Sequence, residues 1–303
     1  MAHTGTPRDA LTGFAVDLGG TKIAAARIVA GRIVARRQVP TDADARPDQH
    51  VAAMAEVLQA LGHDRGAPLG VAVTGRLDRF GLWHAINTGT LTGVGGVALC
   101  RIIDKAIGPA ACINDAAAAT LAEARFGAGR GAAHFAYLTV STGVGGGLVL
   151  NHRLVQSGSG LAGHVGFATS PLAPDTCGSG RHGTVESVAG GRAIAAAAMA
   201  SGREGDARAV IEAAQGGAAW AEAIVQRSAR AIAILLADLV ATLGLDRVAI
   251  GGSIGLSPGY IDRVVCALAS EPPLFHVPVT PAAFGTDAPL IGALAAQHEP
   301  HDP

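Results

Sequence analysis

The 303-residue chain has no surplus of charge of either sign: 23 lysines and arginines stand against 24 aspartates and glutamates, a formal net of -1. No global field therefore draws it to nucleic-acid phosphates or anionic lipid. Lysine is nearly missing. Lys22 and Lys105 stand alone among many arginines, a composition bias of little functional weight. Cysteine is scarce too, and Cys100, Cys112, Cys177 and Cys266 lie far apart with no CxxC pair. That spacing suits neither a disulfide framework nor a free-standing zinc knuckle, so buried reduced thiols are expected. The polar start of the chain holds no apolar signal core, and the first hydrophobic stretch, Leu11 to Leu18, runs into Gly19-Gly20 rather than a cleavage site. The longest apolar run, Ala231 to Leu245, contains Asp238 and falls short of the roughly 20 residues of a spanning helix. The expectation is a soluble, cytoplasmic protein with no membrane or nucleic-acid partner.

What is present is 49% hydrophobic residues against 16% charged, enough for a proper core in one large or two middling domains. Phe14 to Val16, Ile23 to Ile28 and Arg32 to Val39 read as an antiparallel meander. Pro47 to Leu61 carries apolar residues three and four apart, as a half-buried helix does. A strand at Leu69 to Val73, a helix at Ala98 to Ile107 and a strand at Ala111 to Asn114 lead to a helix, Asp115 to Phe126, with Asp115 as its cap. Strands at Phe135 to Val140 and Gly147 to Leu150 then flank a glycine-dense turn, so the second half repeats the logic of the first. Helices follow at Ser187 to Ala200, Asp206 to Ala214 and Gly217 to Leu243, the last with Arg227 and Arg230 on its outward stripe. A strand at Val248 to Ile250 and helices at Pro258 to Ala269 and Leu290 to Gln297 close the pattern. The boundary is placed near residue 115: a lobe of residues 1–115 completed by a C-terminal helix at 288–303, and a larger lobe of residues 116–287 with a helical subdomain.

Three glycine turns carry the chemistry. Gly19, Gly20, Thr21 and Lys22 follow Asp17 at a strand end, where bare amides and a hydroxyl can face an anion and the carboxylate can hold a hydrated divalent cation. A plain tight turn is the alternative. Ser141 to Gly147 is a second such loop, with Thr142, Gly143, Gly145 and Gly146 as candidates, and a glycine bulge is its bland reading. Gly251, Gly252 and Ser253 make a third. Together they imply a nucleoside triphosphate held between two lobes. Asn114 and Asp115 add polar side chains at a strand-to-helix junction, where Asp115 suits a base taking a proton late from an alcohol during phosphoryl transfer. It also suits a helix cap, and the two roles are compatible.

DLGGTK, INDAAAATLAE, LTVSTGVGGG, the stretch from GLAGHVGF to CGSGRHGTVESVAGGRAI, and VAIGGSIG with DAPLIGAL together resemble the sugar kinases of the ROK family over about residues 13 to 298. That resemblance implies a two-lobed actin-like ATPase fold, built of ribonuclease H-like α/β halves with an interlobe active-site cleft. It implies ATP and Mg2+ as donor, Asp115 as base, Asn114 and Glu186 on sugar hydroxyls, Gly75, Arg76 and Asn87 along the sugar pocket, and a homodimer. Within the family, Gly160 to His164 looks most like the bacterial branch acting on N-acetylmannosamine, because other members usually place glutamate where His164 stands. Glu271-Pro272 and Phe275-His276-Val277 point the same way. The implied activity is transfer to the 6-hydroxyl of that sugar in sialic-acid catabolism, with glucose, N-acetylglucosamine or another hexose, or a non-catalytic sugar-binding relative, as alternatives. Regulators of the family carry an N-terminal helix-turn-helix, for which the residues before Asp17 leave no room. The family also implies a structural zinc held by one histidine and three cysteines. Those positions read Phe167, Cys177, Ser179 and Thr184, so no zinc is expected, with Phe167 filling the volume.

Overall fold

A computed structural model describes residues 7–87, 89–173 and 175–299, which divide into two compact units. Unit one holds the described residues through Gly127, Leu154–Ala162 and those from Thr286 onward; unit two holds Ala128–Arg153 and Gly163–Gly285.

In unit one, β1 (Gly13–Leu18), β2 (Lys22–Val29) and β3 (Arg32–Pro40) form the expected antiparallel meander. After helix α1 (Pro47–Gln59), β4 (Leu69–Val73) pairs with β1 in parallel. A small sheet of β5 (Arg76–Leu77), β6 (Leu82–His84) and β7 (Gly95–Ala98) follows, then helix α2 (Leu99–Ala106). Strand β8 (Ala111–Asn114) extends the main sheet from β4 and runs directly into α3 (Asp115–Phe126), giving the order β3-β2-β1-β4-β8.

Alternation along the strands sorts side chains by size. Phe14, Val16, Leu18, Ile23, Leu69, Val71 and Val73 lie in one core cluster with Val51, Met54 and Leu58 of α1 and Leu99 and Ile103 of α2. The opposite face carries Ala15, Ala24, Ala26, Gly70 and Ala72, all small. Ala72 clusters with Ala118 of α3 and Ala293 of the C-terminal helix, Ala288–Ala295. The helices there approach so closely that a Cβ at Gly292 would lie 1.7 Å from the Ala118 carbonyl oxygen. This packing groups α3 with the first unit, past the boundary expected at residue 115.

Unit two repeats the strand order. β9 (Phe135–Val140) and β10 (Val144–Leu150) are antiparallel, and β11 (Arg153–Leu154) lies at the sheet's edge. Helices α4 (Glu186–Ala189), α5 (Gly191–Ala200), α6 (Ala207–Gln215) and the 25-residue α7 (Ala219–Leu243) precede β12 (Arg247–Gly251), which joins β9 in parallel. Helix α8 (Tyr260–Leu268) then leads to β13 (Val279–Pro281), parallel to β12. The order β11-β10-β9-β12-β13 matches that of unit one, which is the duplicated ribonuclease H-like arrangement of the actin-like ATPase fold. Inside the helical layer, the buried Tyr260 hydroxyl meets Ser228 Oγ at 2.7 Å, so α7 and α8 share a satisfied polar contact in an apolar core. Arg227 and Arg230 face outward as expected.

Most elements match their expected bounds to within two residues, and two differ by more or are broken. Strand β10 starts at Val144, so Gly145 and Gly146 pair with Thr139 and Leu138 inside the ladder instead of lying in a turn. The helix expected from Ser187 to Ala200 breaks at Gly190, whose extended backbone (φ -70°, ψ 155°) separates α4 from α5.

Candidate active site

In unit one the site is built where β1, β4 and β8 end. Asp17 is the next-to-last residue of β1, and Asp115 opens α3 directly after β8. Asn114, not Asp115, is the N-cap: its Oδ1 accepts the Ala117 amide at 3.0 Å. The expected cap is thus corrected by one residue, because the carboxylate turns back on the first turn and accepts from the Ala116 amide at 2.8 Å and from Asn114 Nδ2 at 2.9 Å. Asn114 Nδ2 also donates to the Gly75 carbonyl at 2.6 Å. A Thr74 hydrogen bond reaches the same carboxylate, and Thr74 is itself fixed by its amide to Leu18 O at 2.9 Å and by Trp83 Nε1 on its carbonyl at 2.8 Å.

These donors favour the ionised form, yet desolvation by burial outweighs them and lifts the Asp115 carboxyl to about 6. Asp17 is raised further, to about 7, first by burial and then by the negative charge of Asp115, with Lys22 and Arg36 pulling it back down. Both residues keep part of their surface open, but the Asp17 Oδ1 atom itself is buried and has no hydrogen-bond partner. Two neighbouring carboxylates that resist ionisation are groups that could take up a proton or a cation.

Around this pair, Gly19 and Gly20 turn β1 into β2, with the Gly19 amide on Lys22 O at 3.0 Å and its carbonyl accepting from Thr41 Oγ1 at 2.8 Å. Thr21 and Lys22 are exposed. Lys22, Arg36, Arg37, Gln38 and Thr286 line an open cavity of about 380 Å³, and Arg36 Nη1 binds Asp287 at 2.6 Å. The side chain of Asn87 presents a buried Oδ1 with no partner. Arg76 Nη1 donates to Ser159 O at 2.7 Å, while Gly75 holds φ +95°, a conformation open to glycine, with a Cβ excluded by His84 O at 2.4 Å.

In unit two the turn Ser141-Thr142-Gly143 collects the remaining residues. The break at Gly190 frees the first amides of α5, and those of Gly191 and Arg192 donate to Ser141 O at 2.7 Å and Thr142 O at 3.1 Å. Glu186 Oε2 accepts the Val144 amide at 3.1 Å and lies where a Cβ at Gly143 would stand, 2.3 Å away. Ser253 Oγ meets Ser141 Oγ at 3.1 Å. Gly252, at φ +87°, passes so near Val140 O that a Cβ would come within 2.3 Å. His164 stands on the segment that packs on β10, its ring stacked with Phe167 at 5.9 Å.

The structure therefore brings together Asp17, Gly19, Gly20, Thr21, Lys22, Gly75, Asn114 and Asp115 at adjacent strand ends of unit one. In unit two it gathers Thr142, Gly143, Glu186, Gly251, Gly252 and Ser253 around one turn. Gly145 and Gly146 stand apart from that turn within β10. Thr74 and Arg36 were missed. Thr74 precedes Gly75 in the motif region and could have been weighed as a hydroxyl donor; Arg36 gives no local signal, since only the sheet register places it near Asp17.

The profile of the ROK family matches residues 13–299. The N-acetylmannosamine kinase of Escherichia fergusonii is 40% identical over 295 residues, covering 95% of this chain and 99% of its own. Among solved structures, the ROK hexokinase of Thermus thermophilus superposes with a TM-score of 0.80 at 33% identity, covering 94% of this chain and 97% of its own. A ROK family glucokinase from Streptomyces griseus, solved with glucose and AMPPNP, gives 0.75 at 26% identity, with 93% and 98% covered. Strand order, carboxylate pair and full-length likeness converge: the chain belongs to the ROK family.

Proposed function

We propose that the protein is an ATP-dependent sugar kinase that phosphorylates the 6-hydroxyl of N-acetylmannosamine. The observation that carries this reading is the Asp115 carboxylate, held by the Ala116 amide, Asn114 and Thr74 and raised to about 6. Fixed in place and only modestly basic, it accepts the proton of an attacking hydroxyl late in phosphoryl transfer. Asn114 acts first by orienting that carboxylate, since its amide already donates to Asp115 and to Gly75 O. The orphaned Oδ1 of Asn87 gains a partner from a sugar hydroxyl, and Glu186, Arg76 and His164 complete the sugar contacts.

Gly19, Gly20, Thr21 and Lys22, with Thr142, Gly143 and the Gly251 to Ser253 turn, hold the triphosphate. The unpartnered Asp17 Oδ1 fits a hydrated Mg2+, whose water ligands would donate to it. When bound, Mg2+ supplies neutralising charge to the phosphate oxygens. The 40% identity to an N-acetylmannosamine kinase supports the sugar assignment. So does His164, because an imidazole in its neutral form can donate one hydrogen bond and accept another where a carboxylate only accepts.

An ADP-release assay over N-acetylmannosamine, N-acetylglucosamine, glucose and mannose tests the reading. The highest kcat/KM is expected with N-acetylmannosamine, and His164→Glu is expected to shift preference toward the other hexoses. Greater turnover of glucose by the unaltered protein reassigns the sugar, and sugar binding with no ADP formed rejects the kinase.

A further inference from the structure

The zinc that the family implies does not fit the residues at its four positions. Phe167 stacks on the His164 ring at an interplanar angle of 17°. Cys177 Sγ lies 3.0 Å from Ser179 Oγ, and Thr184 is fully buried with its Oγ1 accepting the Ser187 amide at 3.2 Å. One thiol among a phenyl ring and two hydroxyls cannot make the tetrahedral thiolate and imidazole shell of a structural site. Among the described residues no group of three or more histidine, cysteine or acidic side chains could hold a metal ion.

A guanidinium occupies the mechanical position instead. Residues 176 to 182 form a narrow hairpin closed by a Thr176 to His182 bridge and by the Cys177 amide on Arg181 O at 2.9 Å. From it, Arg181 reaches across the loop: Nη1 donates to Phe167 O at 2.7 Å and Nη2 to Thr169 Oγ1 at 3.1 Å. The fork grips the segment that begins at His164. The Val185 amide, donating to Ala168 O at 2.9 Å, ties the residue before Glu186 to the same segment. Two rigidly spaced donors on one planar group fix both the separation and the orientation of the strands they join, which a flexible ammonium does not.

We infer that this chain replaces the metal of its family with a metal-free clamp centred on Arg181, a positioning residue that sets His164 and Glu186 for the sugar. The kinetic part of the test rests on the proposed kinase activity; the exchange part does not. The full-length protein is assayed for bound zinc. Hydrogen–deuterium exchange over residues 163–170 is then followed with and without a chelator, alongside the KM for sugar and for ATP. No stoichiometric zinc and no effect of the chelator on exchange are expected. Arg181→Ala is expected to speed exchange in that segment and to raise the sugar KM about tenfold, leaving kcat and the ATP KM within about twofold. Arg181→Lys is expected to fall between the two. Should Arg181→Ala fail to fold, Thr169→Val removes one of the two bonds alone and is expected to shift exchange in the same direction by less. One zinc per chain whose removal speeds exchange overturns the inference, as does unchanged exchange in Arg181→Ala, or in Arg181→Lys and Thr169→Val together. If no sugar is turned over, the kinase reading fails while the exchange measurements still decide the clamp.

Discussion

At the scale of single residues, the decisive feature is the contest between burial and hydrogen bonding at Asp115. Burial wins, and the carboxyl ends at about 6, so the sign of its pH dependence follows. Below that value the group is protonated and cannot accept the hydroxyl proton; above it the group is ionised and competent. The kcat/KM of the free enzyme is therefore expected to climb as pH rises through about 6. Asp115→Asn is expected to lower kcat by about 10² to 10⁴ with the sugar KM nearly unchanged, and to abolish that limb of the profile. Removal of the charge also lets the Asp17 carboxyl fall from about 7. Retained turnover in Asp115→Asn sinks the assignment. The carboxylate itself was legible because a polar pair stood where an apolar strand met a helical pattern. Its support was not, since Thr74 reaches it through the parallel pairing of β4 with β8, a contact between segments some forty positions apart that no local spacing encodes.

At the scale of elements, small residues decide which helices can approach a sheet. The face of unit one opposite its large-residue core is mostly alanine and glycine, with Ile113 beside Ala72, so α3 and the C-terminal helix come to backbone contact at Gly292 and Ala118. A methyl group has nowhere to go there, because the obstacle is a carbonyl oxygen. Gly292→Ala is expected to destabilise the protein by about 1 to 3 kcal/mol, read as a lower denaturant midpoint with an unchanged slope. A midpoint equal to that of the unaltered chain refutes the contact. The central strands and the helices were legible from period and composition across both units, whereas the short strands β5, β6, β7, β11 and β13 were not, since two to four residues carry no readable period. The start of β10 at Val144 was not, because Gly145 and Gly146 look like loop residues until they are seen opposite Thr139 and Leu138. The break at Gly190 was hidden for a related reason: α4 and α5 form one continuous apolar pattern. What ends the first helix is the demand of the Ser141 and Thr142 carbonyls for the Gly191 and Arg192 amides.

At the scale of the molecule, two units of the same strand order are not equal in their chain paths. Unit two is drawn from the middle of the sequence, whereas unit one is assembled from three separate stretches, the last beginning at Thr286. A chain ending at Gly285 keeps every strand of unit one yet lacks the helix that covers Ala72 and Ala118. Such a truncation is expected to lose the cooperative thermal transition of unit one and to bind a hydrophobic dye, while unit two keeps its own transition. Unchanged melting of both units argues against the assignment of that helix.

The same path fixes an order of events on the ribosome. The middle unit has emerged whole while the first still waits for its closing helix, so a nascent chain must hold an unfinished sheet, with a bare alanine surface, until the stretch from Thr286 has followed. Slow codons or chaperone capture just ahead of the stretch from Thr286 would act on that waiting surface and leave the middle unit untouched.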